Sequence, residues 1–205
     1  MAKGYWISRL DVHDTEGYKP YLPGAEEAIA AHGGRFLVRG GAFETLEGTS
    51  RARNVVVEFK DYETALACFH SPVYQAAYKH RVASSEGEHL IIEGYEGDQP
   101  AAGVISGPEG PATAYWVMRI DVHDAEGYKP YIAADAIAIE KYRGWFLVRG
   151  GRHESVHGQA RSRNVLLAFK DYETALAAYR SPEYQAALAF RSKAAVAEVI
   201  VIHGA

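Results

Sequence analysis

The chain has 205 residues, 48% of them hydrophobic and 12% aromatic, with a net charge of −4, enough to bury one large core or two small ones. Its 22 basic residues are scattered instead of gathered in runs, which excludes nucleic acid or an anionic membrane surface as the main partner. No apolar run approaches the roughly 18 residues of a membrane span, no signal-peptide core precedes the first strand, and a single cysteine, Cys68, excludes an intrachain disulfide or a thiolate metal cluster; a cytoplasmic protein is the expectation.

In chain order, Tyr5 to Val12 alternates, with Tyr5, Ile7, Arg9, Asp11 and His13 on one face and Trp6, Ser8, Leu10 and Val12 on the other, which predicts a strand. Asp14 suits a helix N-cap, and a helix interrupted early by Pro20 and Pro23 is predicted from Glu16 to about Ala31. Gly33 and Gly34 end it. Arg35 to Leu46 predicts a second strand with a bulge at Gly40 and Gly41, and Asn54 to Phe59 a third. Asp61 caps a helix over Tyr62 to His70, Ser71 and Pro72 restart it to about Val82, and His89 to Ile92 closes the series as a fourth strand.

The whole series then recurs 110 residues later without a gap: Tyr115-Trp116, Asp121-Val-His-Asp124 and the stretch Lys170 to Ala177 repeat their first-copy equivalents. A period that long means two whole domains, not a solenoid. The expected division is 1–95, a linker at 96–111 rich in Gly and Pro, and 112–205. Each copy reads β-α-β-β-α-β, a ferredoxin-like unit, and its bare sheet face must be buried, with the other copy the nearest candidate.

Tyr-Trp at the strand start, the Tyr-x-x-Tyr segment, the Arg-Gly-Gly bulge, Phe-Lys-Asp-Tyr-Glu-Thr-Ala and Ser-Pro-x-Tyr together resemble domain-of-unknown-function family 1330, over both copies nearly end to end. The resemblance implies an α+β fold in which two ferredoxin-like repeats pack sheet to sheet as an intrachain dimeric α+β barrel, an internal pseudo-dimer whose outer strands leave further homo-oligomer formation open. Relatives in that superfamily include antibiotic-biosynthesis monooxygenases, muconolactone isomerase and haem-binding chlorite dismutases. The fold therefore does not fix the function, and haem or flavin enters by superfamily analogy only.

Continuing the alternation into the later strands points Arg9, Arg39 and Asn54, with Arg119, Arg149 and Asn164, into the barrel. A buried guanidinium needs a partner there. That partner is either an internal carboxylate, Asp11, Glu44 or Glu58, or the carboxylate, enolate or phosphate of a ligand. Since Glu58 becomes Ala168, the second half is the expected open anion site. His13 and His123, the one histidine pair kept in both copies, read as general acid or base or as exposed turn residues. Tyr18 and Tyr21, with Tyr128 and Tyr131, read as phenols that steady an enolate or as core residues keeping their hydroxyls wet. No metal site is expected, because His13, Asp11 and Asp14 come from one turn.

Two functions follow. One is a small-molecule-binding protein, in its sharper form a cofactor-independent isomerase, lyase or monooxygenase acting on a small acidic or carbonyl-bearing metabolite. The other is a non-catalytic sensing or assembly module whose arginines are structural.

Overall fold

The computed structural model describes residues 2–100 and 111–205, so most of the expected linker, 101–110, lies outside the described residues. The first copy builds β1 (Gly4–Val12), α1 (Thr15–Tyr18), α2 (Tyr21–Ala31), β2 (Arg35–Arg39), β3 (Phe43–Glu47), β4 (Arg53–Phe59), α3 (Tyr62–His70), α4 (Pro72–Ser84) and β5 (Ser85–Glu93). The second builds β6 (Ala114–Val122), α5 (Ala125–Lys141), β7 (Trp145–Arg149), β8 (His153–His157), β9 (Arg163–Phe169), α6 (Tyr172–Arg180), α7 (Pro182–Ala194) and β10 (Ala195–His203).

Asp14, Asp61 and Ser71 accept backbone N–H groups at the starts of α1, α3 and α4, as their positions before apolar runs require. The first helix is broken between α1 and α2. Its counterpart α5 runs unbroken, having Ala133 and Ala134 where the first copy has Pro23 and Gly24.

Each copy yields four strands of one antiparallel sheet, and the fifth comes from the other copy. The orders are β2-β4-β1-β5-β8 and β3-β10-β6-β9-β7. The predicted single strand Arg35 to Leu46 is thus two strands in two sheets. Gly40 and Gly41 separate them with φ of 69° and 140°, and Gly150 and Gly151 repeat this at 73° and 118°, backbone that residues with a Cβ rarely adopt. Through that turn β3 leaves its own sheet and pairs with β10, while β8 pairs with β5.

Helices cover one face of each sheet. Trp6 lies under α3 and donates to the Ala65 carbonyl at 3.0 Å; Trp116 does the same with Ala175. The opposite faces meet in one apolar cluster drawn from both halves, with Ile7, Val56 and Ile92 against Val117, Leu166 and Ile202. This buries the face that a lone ferredoxin-like unit leaves bare. The two halves fold upon each other as a duplicated α+β barrel.

The exchanged arms make a direct prediction. A chain cut to residues 2–95 has no β10 for its arm and is expected to sediment as a dimer, each arm joining the last strand of a second copy. A stable monomer would contradict the exchange.

Candidate functional site

The barrel interior holds the inward residues of β1 and β6 as expected, but they are internally paired. Arg9 Nη1 donates to Glu198 Oε2 at 2.6 Å and Arg119 Nη1 to the same oxygen at 2.7 Å, while Arg9 Nε lies 3.1 Å from Glu88. Arg51 joins Asp11 at 2.7 Å and Glu88 at 3.3 Å; Arg161 joins Asp121 at 2.6 Å and Glu198 at 2.9 Å. Four guanidiniums therefore face four carboxylates around a polar hollow of about 520 Å³ at one mouth of the barrel. The guanidiniums hold the Glu198 carboxyl down to about 2 despite its burial. Asn54 and Asn164 do point inward and are buried, yet each spends its amide on the carbonyl of Arg51 or Arg161, at 3.0 Å, fixing the loop that carries that arginine.

Arg39 and Arg149 depart from the expectation. A register shift between Phe36 and Val38, repeated between Phe146 and Val148, reverses the alternation within β2 and β7. Leu37 and Val38 both enter the barrel core. Arg39 instead emerges on the helix side over the Phe36 ring at 4.8 Å, and Arg149 over the Phe146 ring at 4.3 Å. His13 and His123 stand exposed on their turns and line neither cavity described below.

The residues that do converge lie between sheet and helices, one cavity in each half. In the first, of about 40 Å³, Trp6, Leu10, Tyr18, Tyr21 and Phe36 surround Arg39, Arg53 and Arg81. In the second, of about 10 Å³, Trp116, Tyr128, Tyr131 and Phe146 surround Arg149, Arg163 and Asp135. Water itself needs about 10–15 Å³ measured this way, so the first cavity has room for about three waters and the second is nearly filled. Neither volume admits a haem or a flavin, and no histidine lines either one.

The halves differ in charge as well as volume. In the second, Arg191 pairs with Glu47, brought across on β3, at 2.5 Å, while Arg149 lies 3.6 Å from Asp135. Burial pushes the Asp135 carboxyl up to about 7 against the pull of Arg149, Arg163 and Arg191. In the first half His157 replaces Glu47 and Ala25 replaces Asp135. Arg39 turns to Glu26 at the rim, both about half exposed.

Arg53 and Arg81 make no ion pair with a carboxylate among the described residues. Arg53 Nε and Arg81 Nη2 are buried without an acceptor. Arg81, 2% exposed, has Nη1 2.8 Å from His89 Nδ1. Because arginine can only donate, that nitrogen of His89 is the acceptor. Burial and the Arg81 charge hold the His89 imidazole well below its ordinary range. Tyr21 and Tyr74 hydroxyls meet at 3.1 Å beside the guanidinium, and burial raises the Tyr18 and Tyr74 phenols, which are held neutral. Glu58, whose loss from the second copy set the expectation of an open anion site there, lies on the barrel side beside Arg35, and Asp135 occupies the second sheet–helix cavity.

Two stretches, 3–95 and 113–205, each match the model of a domain of unknown function, DUF1330. Among curated proteins none matches the chain by sequence. Among solved structures, an anthrone oxidase-like protein superposes with a TM-score of 0.55 at 11% identity, over 100% of this chain and 91% of that one. A mutant chlorite dismutase from Candidatus Nitrospira defluvii does so at 0.52 and 12% identity, over 97% and 91%. Identities this low establish a common fold. No helix among the described residues is long and apolar enough to cross a membrane, and no three of their His, Cys, Asp or Glu side chains gather as metal ligands.

The barrel-mouth network makes a pH prediction. Glu198 has its carboxyl lowered in the fold, so its stabilising contribution is complete above its unfolded value near 4.5 and is lost as pH falls toward about 2. Glu198→Gln is expected to flatten that part of the stability curve and to cost about 3 kcal/mol at pH 7, since it removes the carboxylate that three guanidiniums share and leaves Arg119 without its close partner. Urea unfolding between pH 2 and 7 measures both; an unchanged acid limb would refute the assignment.

Proposed function

The chain belongs to the DUF1330 family, with two fused copies of its domain, and from that premise we propose that it binds a small organic anion in the sheet–helix cavity of its first half. Arg53 and Arg81 would hold the charge, Tyr18 and Tyr21 would donate to its oxygens, and Trp6, Leu10 and Phe36 would cover its apolar body. The observation that carries this reading is Arg81: a permanently charged group, 2% exposed, with no carboxylate paired to it. A buried charge left so costs several kcal/mol, which an incoming anion would relieve.

Arg9, Arg119, Asn54 and Asn164 belong in this account to the barrel's own architecture, with Arg149 and Tyr131 in the half that carries Asp135. Tyr128 is its equivalent of Tyr18. The relatives named for oxidase and dismutase chemistry lend the fold a precedent for small ligands. A cofactor-independent isomerase, lyase or monooxygenase would find donors here. The lining lacks a free base, however, since Glu26 is engaged by Arg39 and His89 lies behind Arg81. Capture of the acid is thus the better supported role, and turnover by His13 or His123 has no geometric support.

The test is calorimetric titration of the whole protein with acetate, a carboxylate small enough for a cavity of about 40 Å³. One site is expected. Arg53→Met should weaken it at least about tenfold, the worth of a charge-assisted hydrogen bond, and Arg163→Met should leave it unchanged. Equal losses from both substitutions, or no heat with the parent protein, would reject the first-half site.

A further inference from the structure

The duplication lets one half of the molecule report on the other. Position 25 corresponds to position 135, and both side chains are buried on the inner face of their helix, Ala25 at 5% exposure and Asp135 at 7%. Around each stand equivalent arginines: Arg39, Arg53 and Arg81 in one half, Arg149, Arg163 and Arg191 in the other. The second half therefore carries its own carboxyl group at the centre of an arginine cluster. The first half has the cluster, the phenols and the apolar walls, with a methyl group in place of the carboxyl.

We propose that Asp135 stands in the second half where a ligand's carboxylate stands in the first, so that the first half takes a monocarboxylate whose head group lies over the Ala25 methyl between Arg53 and Arg81. This rests on the first cavity being an anion site and narrows the anion to one carboxyl group on a small apolar body, as about 40 Å³ requires.

Three further observations agree with it. The second cavity is smaller than the first, about 10 against 40 Å³, as expected if the Asp135 side chain fills the place of a ligand. Glu26 has Ala136 as its counterpart and draws Arg39 out to the rim, where its side chain is 46% exposed, whereas Arg149 stays turned in at 15%. Arg53 and Arg81 are thus left for the ligand. A single planar carboxylate also suits the guanidinium fork, and it is the group the protein itself places there. Trp6, Leu10 and Phe36 then offer an apolar wall to what the carboxylate is attached to.

The experiment is acetate titration by calorimetry on the whole chain as parent, Ala25→Asp and Asp135→Ala, each first checked for an unchanged circular dichroism spectrum. The parent is expected to bind one acetate, Ala25→Asp to lose at least about tenfold in affinity, and Asp135→Ala to bind two. Should the parent bind one acetate while Asp135→Ala still binds only one, the equivalence fails and the anion site of the first half stands. Should Ala25→Asp bind as the parent does, the head group does not lie over Ala25 and the proposal is overturned. If Ala25→Asp does not fold, Asp135→Ala decides alone. A parent that binds inorganic phosphate and not acetate overturns the carboxylate assignment, and one that binds neither removes the anion site itself.

Discussion

A sheet with helices on one face and nothing on the other cannot stand in water, and the whole molecule follows from how this chain meets that demand. Val56, Ile92, Val117 and Ile202 are apolar on the side away from the helices, and only a second such sheet supplies enough matching surface to bury them. Duplication provides the second sheet within one chain. The exchanged strands β3 and β8 then tie each half to the other's edge, which also protects sheet edges that would otherwise invite further pairing. The interior is given over to this packing, the hollow at its mouth is ringed by paired charges, and Arg53 and Arg81, which lack a carboxylate partner among the described residues, lie between sheet and helices, where the proposed anion site falls.

Much of this was legible in the residues. The 110-residue repeat, the alternation of β1 and the caps at Asp14, Asp61 and Ser71 gave the element order, and the strict parity of β1 correctly turned Arg9 inward. Parity failed at Arg39 for a definable reason. Gly40 and Gly41 mark an irregularity, but the extra residue sits earlier, between Phe36 and Val38, and one inserted residue reverses every side chain after it. The departure of β3 for the other sheet was illegible for a different cause, because a positive-φ turn signals a change of direction without naming the destination.

Arg53 and Arg81 were missed although signals existed. Arg53 precedes inward Asn54 on a regular strand, so alternation alone sends it under the helices. Arg81 sits among apolar positions of α4, and a buried arginine on a helix is unusual enough to ask for its partner. The change from Ala25 to Asp135 was visible in the aligned copies too, as a charge appearing at an interior helix position. What the sequence lacked was the proximity of position 135 to the arginines of β7 and β9, which only packing reveals. The two halves then differ in their carboxylates: in the second Arg149 faces Asp135 and Arg191 pairs with Glu47, whereas in the first Arg53 and Arg81 have no carboxylate partner among the described residues.

The central claim, that the two sheet–helix cavities are unequal and only the first accepts an anion, is tested most directly by diffraction from crystals grown with and without acetate. The account predicts added carboxylate density in the first cavity beside Arg53 and Arg81, and none beside Asp135. Added density in the barrel mouth among Arg9, Arg119 and Glu198, or equal density in both halves, would contradict it.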